Sequence, residues 1–170
     1  MIDGQFIDTL NIQARDFAFK WKNRIRKAEQ LGHFAVLEDG ALLEMETPVY
    51  PLLSRTLDRG LDRALVGDFF VRRGKEGMAA GFPMSELIYA LNLSQQTVIE
   101  YIMTDFALDN AMRMYQAMGI LNKAAEFFLL GTFYLTKGFL EAIYMNMASS
   151  GSVSEEFVKN YFKDDFFFKK

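Results

Sequence analysis

The feature that most constrains this chain is a long stretch, Asn110 to Ser149, that contains no proline and few charged residues. Within residues 121–148 the charged side chains are Lys123, Glu126, Lys137 and Glu141. At about 100° per residue, these four lie within about 60° of one another around a helix. The remaining circumference is apolar, small or hydroxylated, so we predict one long helix that must be covered on most sides.

The rest of the chain predicts an all-α protein. Its 170 residues suffice for one domain with a core, and a hydrophobic content of 51% excludes a disordered chain. We find no strand-like alternation and no hairpin turn between apolar runs. We therefore predict a single helical domain over residues 1–150. Residues 151–170 form a tail that is either a short helix or flexible, and its Phe-rich end docks on the domain, joins a dimer partner or frays.

Apolar residues at steps of three and four predict the helices before the long one. One helix is expected over residues 4–28, another through residues 52–80 and a third over residues 83–106. Gly81, with Pro83 two residues on, is a typical helix ending. Residues 33–46 form a shorter and more mixed segment, in which Asp39-Gly40 predicts a turn or helix break.

Composition excludes several functional classes. A net charge of −3 gives no basic footprint for nucleic acid, and zero Cys with one His excludes the usual zinc sites. The longest uncharged apolar run, Phe127–Thr136, is too short for a membrane span. Because the N-terminus also lacks a signal-peptide pattern, we expect a cytoplasmic protein.

No catalytic motif is visible. The Glu-x-x-His pair of di-iron bundles is absent, and His33 lies too early to be a proximal haem ligand, although haem held by Met or Tyr stays open. We find no nucleophile elbow, phosphate loop or dinucleotide fingerprint. We therefore expect no enzyme activity, no cofactor and no metal.

Two basic clusters and one apolar set allow either a structural or a binding role. The first helix ends in Lys20, Lys22, Arg24, Arg26 and Lys27, and a second cluster is Arg72, Arg73 and Lys75. Each is either a solvated helix face or an anion or partner contact. Met and Phe residues either fill an ordinary core or line a ligand pocket. The pocket candidates are Phe70, Phe82, Met103 and Met118.

The segment from Phe70 to Leu93 carries a family resemblance. A helix ends at Gly-x-Pro, and an amphipathic helix follows that starts with an acidic residue and Leu. Together with the early helix around Trp21 and the long final helix, this segment resembles the N-terminal domain of RsbR-type stressosome proteins (the RsbT co-antagonist family). The resemblance implies a globin-like fold without haem, a sensory role and dimers paired through the terminal helices. RsbR proteins continue into an output domain, whereas this chain ends at Lys170, so we expect a stand-alone sensor-like domain.

The long helix also carries a heptad-like series that favours a dimer. Residues from Met114 to Ala142 follow alternating steps of four and three, as in a coiled-coil seam. Gly131 and Gly138 in the same stretch permit a close helix approach. The dimer-contact candidates are Trp21, Met114, Leu121, Phe128, Leu135 and Phe139.

These patterns lead to three hypotheses. The first, which we favour, is a non-enzymatic, haem-free and dimeric signalling domain that senses stress or a ligand and contacts a downstream signalling protein. The second is a partner-binding adaptor or structural helical protein without a ligand. The third is a small enzyme or a haem binder.

Overall fold

The computed structural model describes residues 4–106, 111–152, 154, 156 and 157. These residues form α-helices and one π-helical turn and contain no strand, which confirms the all-α prediction. The α-helices are α1 (Gly4–Ile12), α2 (Ala14–Lys27), α3 (Gly32–Ala35), α4 (Asp39–Glu46), α5 (Val49–Arg59), α6 (Arg63–Ala79), α7 (Met84–Tyr101) and α8 (Ala111–Ser149). The π-helical turn, Ile102–Phe106, follows α7 directly. The globin-like arrangement stays a prediction, and most of the Phe-rich tail lies outside the described residues.

Two predicted helices are each divided in the structure. The first is interrupted at Gln13, whose backbone leaves the helical region at φ −100° and ψ 21°. The second breaks at Gly60, whose φ of 87° is one that residues with a Cβ rarely adopt. Helix α6 then starts with Asp62 as its N-cap, whose carboxylate accepts a 3.0 Å hydrogen bond from the Leu65 N–H. The apolar spacing continues across both breaks, so it did not reveal them.

Glycines end two of the helices in the same way. Gly81 has a φ of 81°, and the next N–H, that of Phe82, donates to the Gly77 carbonyl at 2.9 Å. This Schellman arrangement confirms the predicted helix ending at Gly81. Gly151, with a φ of 75°, ends α8 by the same backbone pattern.

Helices α6 and α8 cross at very short distance. An added Cβ on Gly74 of α6 would lie 2.1 Å from a backbone carbonyl oxygen of α8, and one on Gly138 of α8 would lie 2.0 Å from a carbonyl oxygen of α6. Gly131 leaves room for the ring of Phe70, which would be 2.9 Å from a Cβ there. The predicted close approach at Gly131 and Gly138 is confirmed, and its partner is α6 of the same chain.

The core continues from this crossing to α1, α2, α5 and α7. Trp21 of α2, the only tryptophan, is completely buried, and its indole Nε1 donates a 2.8 Å hydrogen bond to the Ala90 carbonyl of α7. The ring of Phe34 meets the indole edge to face, with centroids 6.2 Å apart. One side chain therefore joins α2 to α7 by a buried hydrogen bond and to α3 by ring packing.

Replacing Trp21 by phenylalanine should lower the free energy of unfolding by about 2–3 kcal/mol, because it removes the bond to Ala90 and leaves unfilled volume. Thermal unfolding followed by circular dichroism measures the loss, since the variant has no tryptophan emission. Phe19→Leu on the same helix is the control. Phe19 is 50% exposed and its ring centroid lies 4.4 Å from Lys22 Nζ, so its change should cost about 0.5–1 kcal/mol through that lost cation–π contact. Equal losses in the two variants would contradict the role assigned to Trp21.

Candidate functional site

The side of α8 that points away from the core is apolar and exposed. Its side chains, here called the outer face, are Tyr115, Met118, Ala125, Leu129 and Phe133. Tyr115 is 80% exposed, Leu129 71% and Phe133 56%. Large apolar side chains that are exposed at several turns of one helix are typical of a binding surface.

The helix geometry explains why this face remains uncovered. Ile120, Ala124, Phe127 and Leu135 point into the core, and at 100° per residue the outer face lies on the opposite side. The four charged residues Lys123, Glu126, Lys137 and Glu141 form a polar stripe between the core side and the outer face. This stripe partly contacts α6, where Lys75 Nζ is 2.9 Å from the buried carboxylate of Glu141. The outer face itself carries no charged residue.

Most of the predicted dimer contacts lie in the core of the single chain. Trp21 is fully buried, Phe128, Leu135 and Phe139 are 2%, 1% and 8% exposed, and Leu121 is half-buried. Only Met114 of the predicted set is well exposed, at 60%. The four buried side chains therefore have almost no area left to offer to a second copy.

The heptad spacing accounts for this misplacement. A strict seven-residue series drifts by about 20° per heptad around a straight helix of 3.6 residues per turn. The series therefore begins on the exposed side at Met114 and reaches the buried side by Phe128. The apolar surface available for pairing is the outer face, which lies beside the predicted seam.

The four predicted pocket residues lie in different surroundings. Phe70 is buried between α6 and α8, with its ring centroid 5.6 Å from that of Phe127. Phe82 is half-buried and packs on Phe34 at 4.8 Å. Met103 and Met118 are 50% and 55% exposed. Two of the predicted pocket residues are therefore packed against other aromatic rings, and two are about half exposed.

The second basic cluster is divided among three separate ion pairs. Arg72 pairs with Asp68 on the surface of α6 at 2.7 Å, and Lys75 reaches Glu141 of α8. Arg73 turns inward to Glu46 of α4 at 3.1 Å. The cluster therefore serves the packing of this domain and forms no single anion site.

Sequence reasoning missed the buried pair of Glu46 and Arg73. Glu46 is fully buried, and the Arg73 side chain is 14% exposed. Glu46 Oε1 and Arg73 Nη1 are buried without a hydrogen-bond partner in the described part of the chain. Burial raises the pKa of the Glu46 carboxyl, and the positive charge of Arg73 opposes that rise. No local pattern could have revealed the pair, since its members are 27 residues apart in separate helices.

Two hydroxyl side chains lie beside the buried pair of Glu46 and Arg73. Tyr50 and Ser94 lie near Glu46 and lower its pKa to a lesser extent, but they donate to backbone carbonyls, Tyr50 to Phe17 at 3.5 Å and Ser94 to Ala90 at 3.2 Å. Burial raises the pKa of Tyr50 well above its usual value, and the charge of Glu46 adds to the rise. This cluster brings α4, α5, α6 and α7 together around the carboxylate of Glu46, whose buried charge is compensated by Arg73.

Neither a metal site nor a membrane span emerges from the described residues. No three His, Asp or Glu side chains among them come together as metal ligands. None of the described helices is both long and apolar enough to cross a bilayer.

Comparisons with known protein families, curated proteins and solved structures find no match to this chain. The resemblance to RsbR-type domains therefore stays a prediction.

Proposed function

We propose that this protein is a non-enzymatic, haem-free signalling domain that acts as a homodimer paired through the outer face of α8. The observation that carries the proposal is the exposure of Leu129 and Phe133 on a face without charge. From Tyr115 to Phe133 the outer face extends about 27 Å along the helix. The signalling role rests on the resemblance to sensory domains that pair through their terminal helices.

A second copy is the occupant that fits this surface best. The same apolar stripe on both partners is self-complementary, as a two-fold interface requires. Its flank carries both signs, with Lys123 three residues before Glu126, so two copies can meet without concentrating like charges. Burying Leu129 and Phe133 against their copies would contribute about 1.5–3 kcal/mol for each side chain that becomes fully covered.

Replacing both Leu129 and Phe133 by glutamate should convert the dimer into a monomer, because pairing would then bury four carboxylates per dimer without partners. Sedimentation velocity at about 10 μM measures the change; at that concentration a dimer with a micromolar dissociation constant is well populated. Replacing Ile12 and Val36 by glutamate is the control, because both are more than 80% exposed and lie outside α8, and this variant should remain dimeric. Circular dichroism checks that both variants keep their helices. A wild-type chain that sediments only as a monomer would contradict the proposal.

The second candidate, an adaptor without a ligand, is favoured by one observation. Two of the residues expected to form a ligand pocket, Met103 and Met118, are about half exposed, and the other two pack on aromatic rings. Native mass spectrometry separates the two hypotheses, since it reports subunit number and retained mass together. A dimer that carries a small molecule supports the sensory hypothesis, whereas a dimer of bare chains that captures a protein partner supports the adaptor.

A further inference from the structure

The five basic residues at the end of α2 fall into two groups. Lys22 and Arg26 both bind the carboxylate of Asp39, at 2.7 and 2.8 Å. Arg26 also donates to the carbonyls of Ala35 at 2.7 Å and Leu37 at 2.5 Å. These bonds hold the pKa of the Asp39 carboxyl below its usual value, with the Lys22 contact the largest cause. Lys22 and Arg26 therefore fix the segment after α2 and serve the fold.

The other three basic residues face a groove between α2 and α7. The groove has a volume of about 480 Å³, within the usual range of small-molecule sites. Its α2 side carries Lys20, Arg24 and Lys27, spaced four and three residues apart and thus on one helix face. Its α7 side continues through Tyr101 to Thr104 on the π-helical turn, a kind of irregularity that is frequent at functional sites.

The charges of this groove oppose those of the whole chain. Three cations face a single carboxylate, that of Glu100, in a protein whose net charge is −3. Glu100 contacts Arg24, so Lys20 and Lys27 remain as exposed cations at the rim. Lys20 lies over the Tyr101 ring, 5.5 Å from its centroid, which holds its ammonium group at the groove.

The strongest hydrogen-bond donors of the groove are cationic. The hydroxyls of Thr97 and Thr104 donate to the carbonyls of Leu93 and Glu100, both at 2.8 Å, so their hydrogens are already used. The other donors that line the groove are the cations Lys20, Arg24 and Lys27 and two neutral groups, the Asn23 amide and the Tyr101 hydroxyl. An arginine fork flanked by two lysines matches the charge and the oxygen geometry of a phosphate group.

We propose that the groove between α2 and α7 binds the phosphate group of a small soluble molecule, with Lys20, Arg24 and Lys27 as its ligands. Glu100 pairs with Arg24 in the empty groove and competes with the phosphate for it. The groove contains no residue of α8, so the proposal does not depend on pairing through the outer face, and either can fail without the other.

Titration with inorganic pyrophosphate tests the proposal, by calorimetry and by amide NMR shifts, at ionic strength held constant with sodium chloride. We expect saturable binding of one pyrophosphate per chain, with shifts confined to the second half of α2 and the end of α7. The double change Lys20→Gln and Lys27→Gln should weaken binding about tenfold or more, because it removes two charge-assisted contacts. Lys123→Gln on α8 is the matched control and should leave binding unchanged.

A variant with the opposite sign sharpens the test. Glu100→Gln should tighten pyrophosphate binding about threefold, because Arg24 loses its competing partner and the groove loses its negative charge. Equal weakening by the α2 double change and by Lys123→Gln would overturn the proposal, as would an absence of saturation above the salt effect. An RNA oligonucleotide that binds through Lys20 and Lys27 when pyrophosphate does not would also overturn it, in favour of a nucleic-acid surface.

Discussion

Replacing Gly138 by alanine should lower the free energy of unfolding by about 3 kcal/mol or more. The new Cβ would lie 2.0 Å from the carbonyl oxygen of Val71 and 2.7 Å from its Cα. These are backbone atoms of α6, so no side-chain rotation can relieve the overlap. The two helices must move apart, and the packing of Phe70 on Gly131 weakens with them.

The measurement is urea unfolding followed by the emission of Trp21, which is unique and buried. For a chain of this size, a loss of 3 kcal/mol lowers the melting temperature by about 6–12 °C. Gly74→Ala tests the same crossing from α6, because its Cβ would lie 2.1 Å from the Leu135 carbonyl oxygen. The control is Gly119→Ala on α8, where no atom lies within 4 Å of the new Cβ. That change should stabilise the helix by about 0.5–1 kcal/mol, and a similar response at Gly119 and Gly138 would contradict the close crossing.

The long helix was the easiest part of the fold to predict. Its predicted bounds, Asn110 to Ser149, differ by one residue from those of α8. A run without proline, ended by Ser150 and Gly151, leaves few alternatives to a helix. The break at Gly60 was missed because apolar residues keep helical spacing across it, and only the positive φ of that glycine distinguishes it from a helical one.

The outer face of α8 was only partly predictable from the sequence. The narrow polar stripe of α8 correctly indicated a second apolar face, but the residues assigned to it followed a strict heptad and drifted into the core at Phe128 and Leu135. The sequence also contains no information on which element covers a given face. Gly138 could serve a dimer or α6 equally well, and only the position of Val71 decides between them.

The buried ion pair of Glu46 and Arg73 could not be predicted from the sequence. Glu46 ends a short helix of mixed composition and looks like any surface carboxylate. Its burial depends on Arg73 of α6 reaching it across the fold. The groove of Lys20, Arg24 and Lys27 was partly predictable. The basic cluster was visible in the sequence, but the sequence did not show that Asp39 binds two of its members, Lys22 and Arg26.

Replacing Arg73 by methionine should cost about 3–5 kcal/mol of stability at neutral pH, because it leaves the fully buried Glu46 without its cation. The loss should depend on pH in a defined direction. Burial already raises the Glu46 pKa above its usual 4.5, and removing Arg73 raises it further. The folded state then binds a proton that the unfolded state has released, so stability falls as pH rises from about 4.5 through the raised pKa. Acidification towards pH 4.5 should therefore restore much of the loss.

Urea unfolding at several pH values between 4.5 and 7.5 follows this effect, and the pH dependence of the difference from wild type isolates Glu46 from the other carboxylates. Adding Glu46→Gln to Arg73→Met is the matched control, because the double variant has no carboxyl at position 46 to titrate. Its stability relative to Arg73→Met should increase as pH rises, since only the single variant must ionise a buried acid. An Arg73→Met variant whose loss stays constant across this range would mean that Glu46 reaches solvent and that the buried pair does not hold α4 to α6.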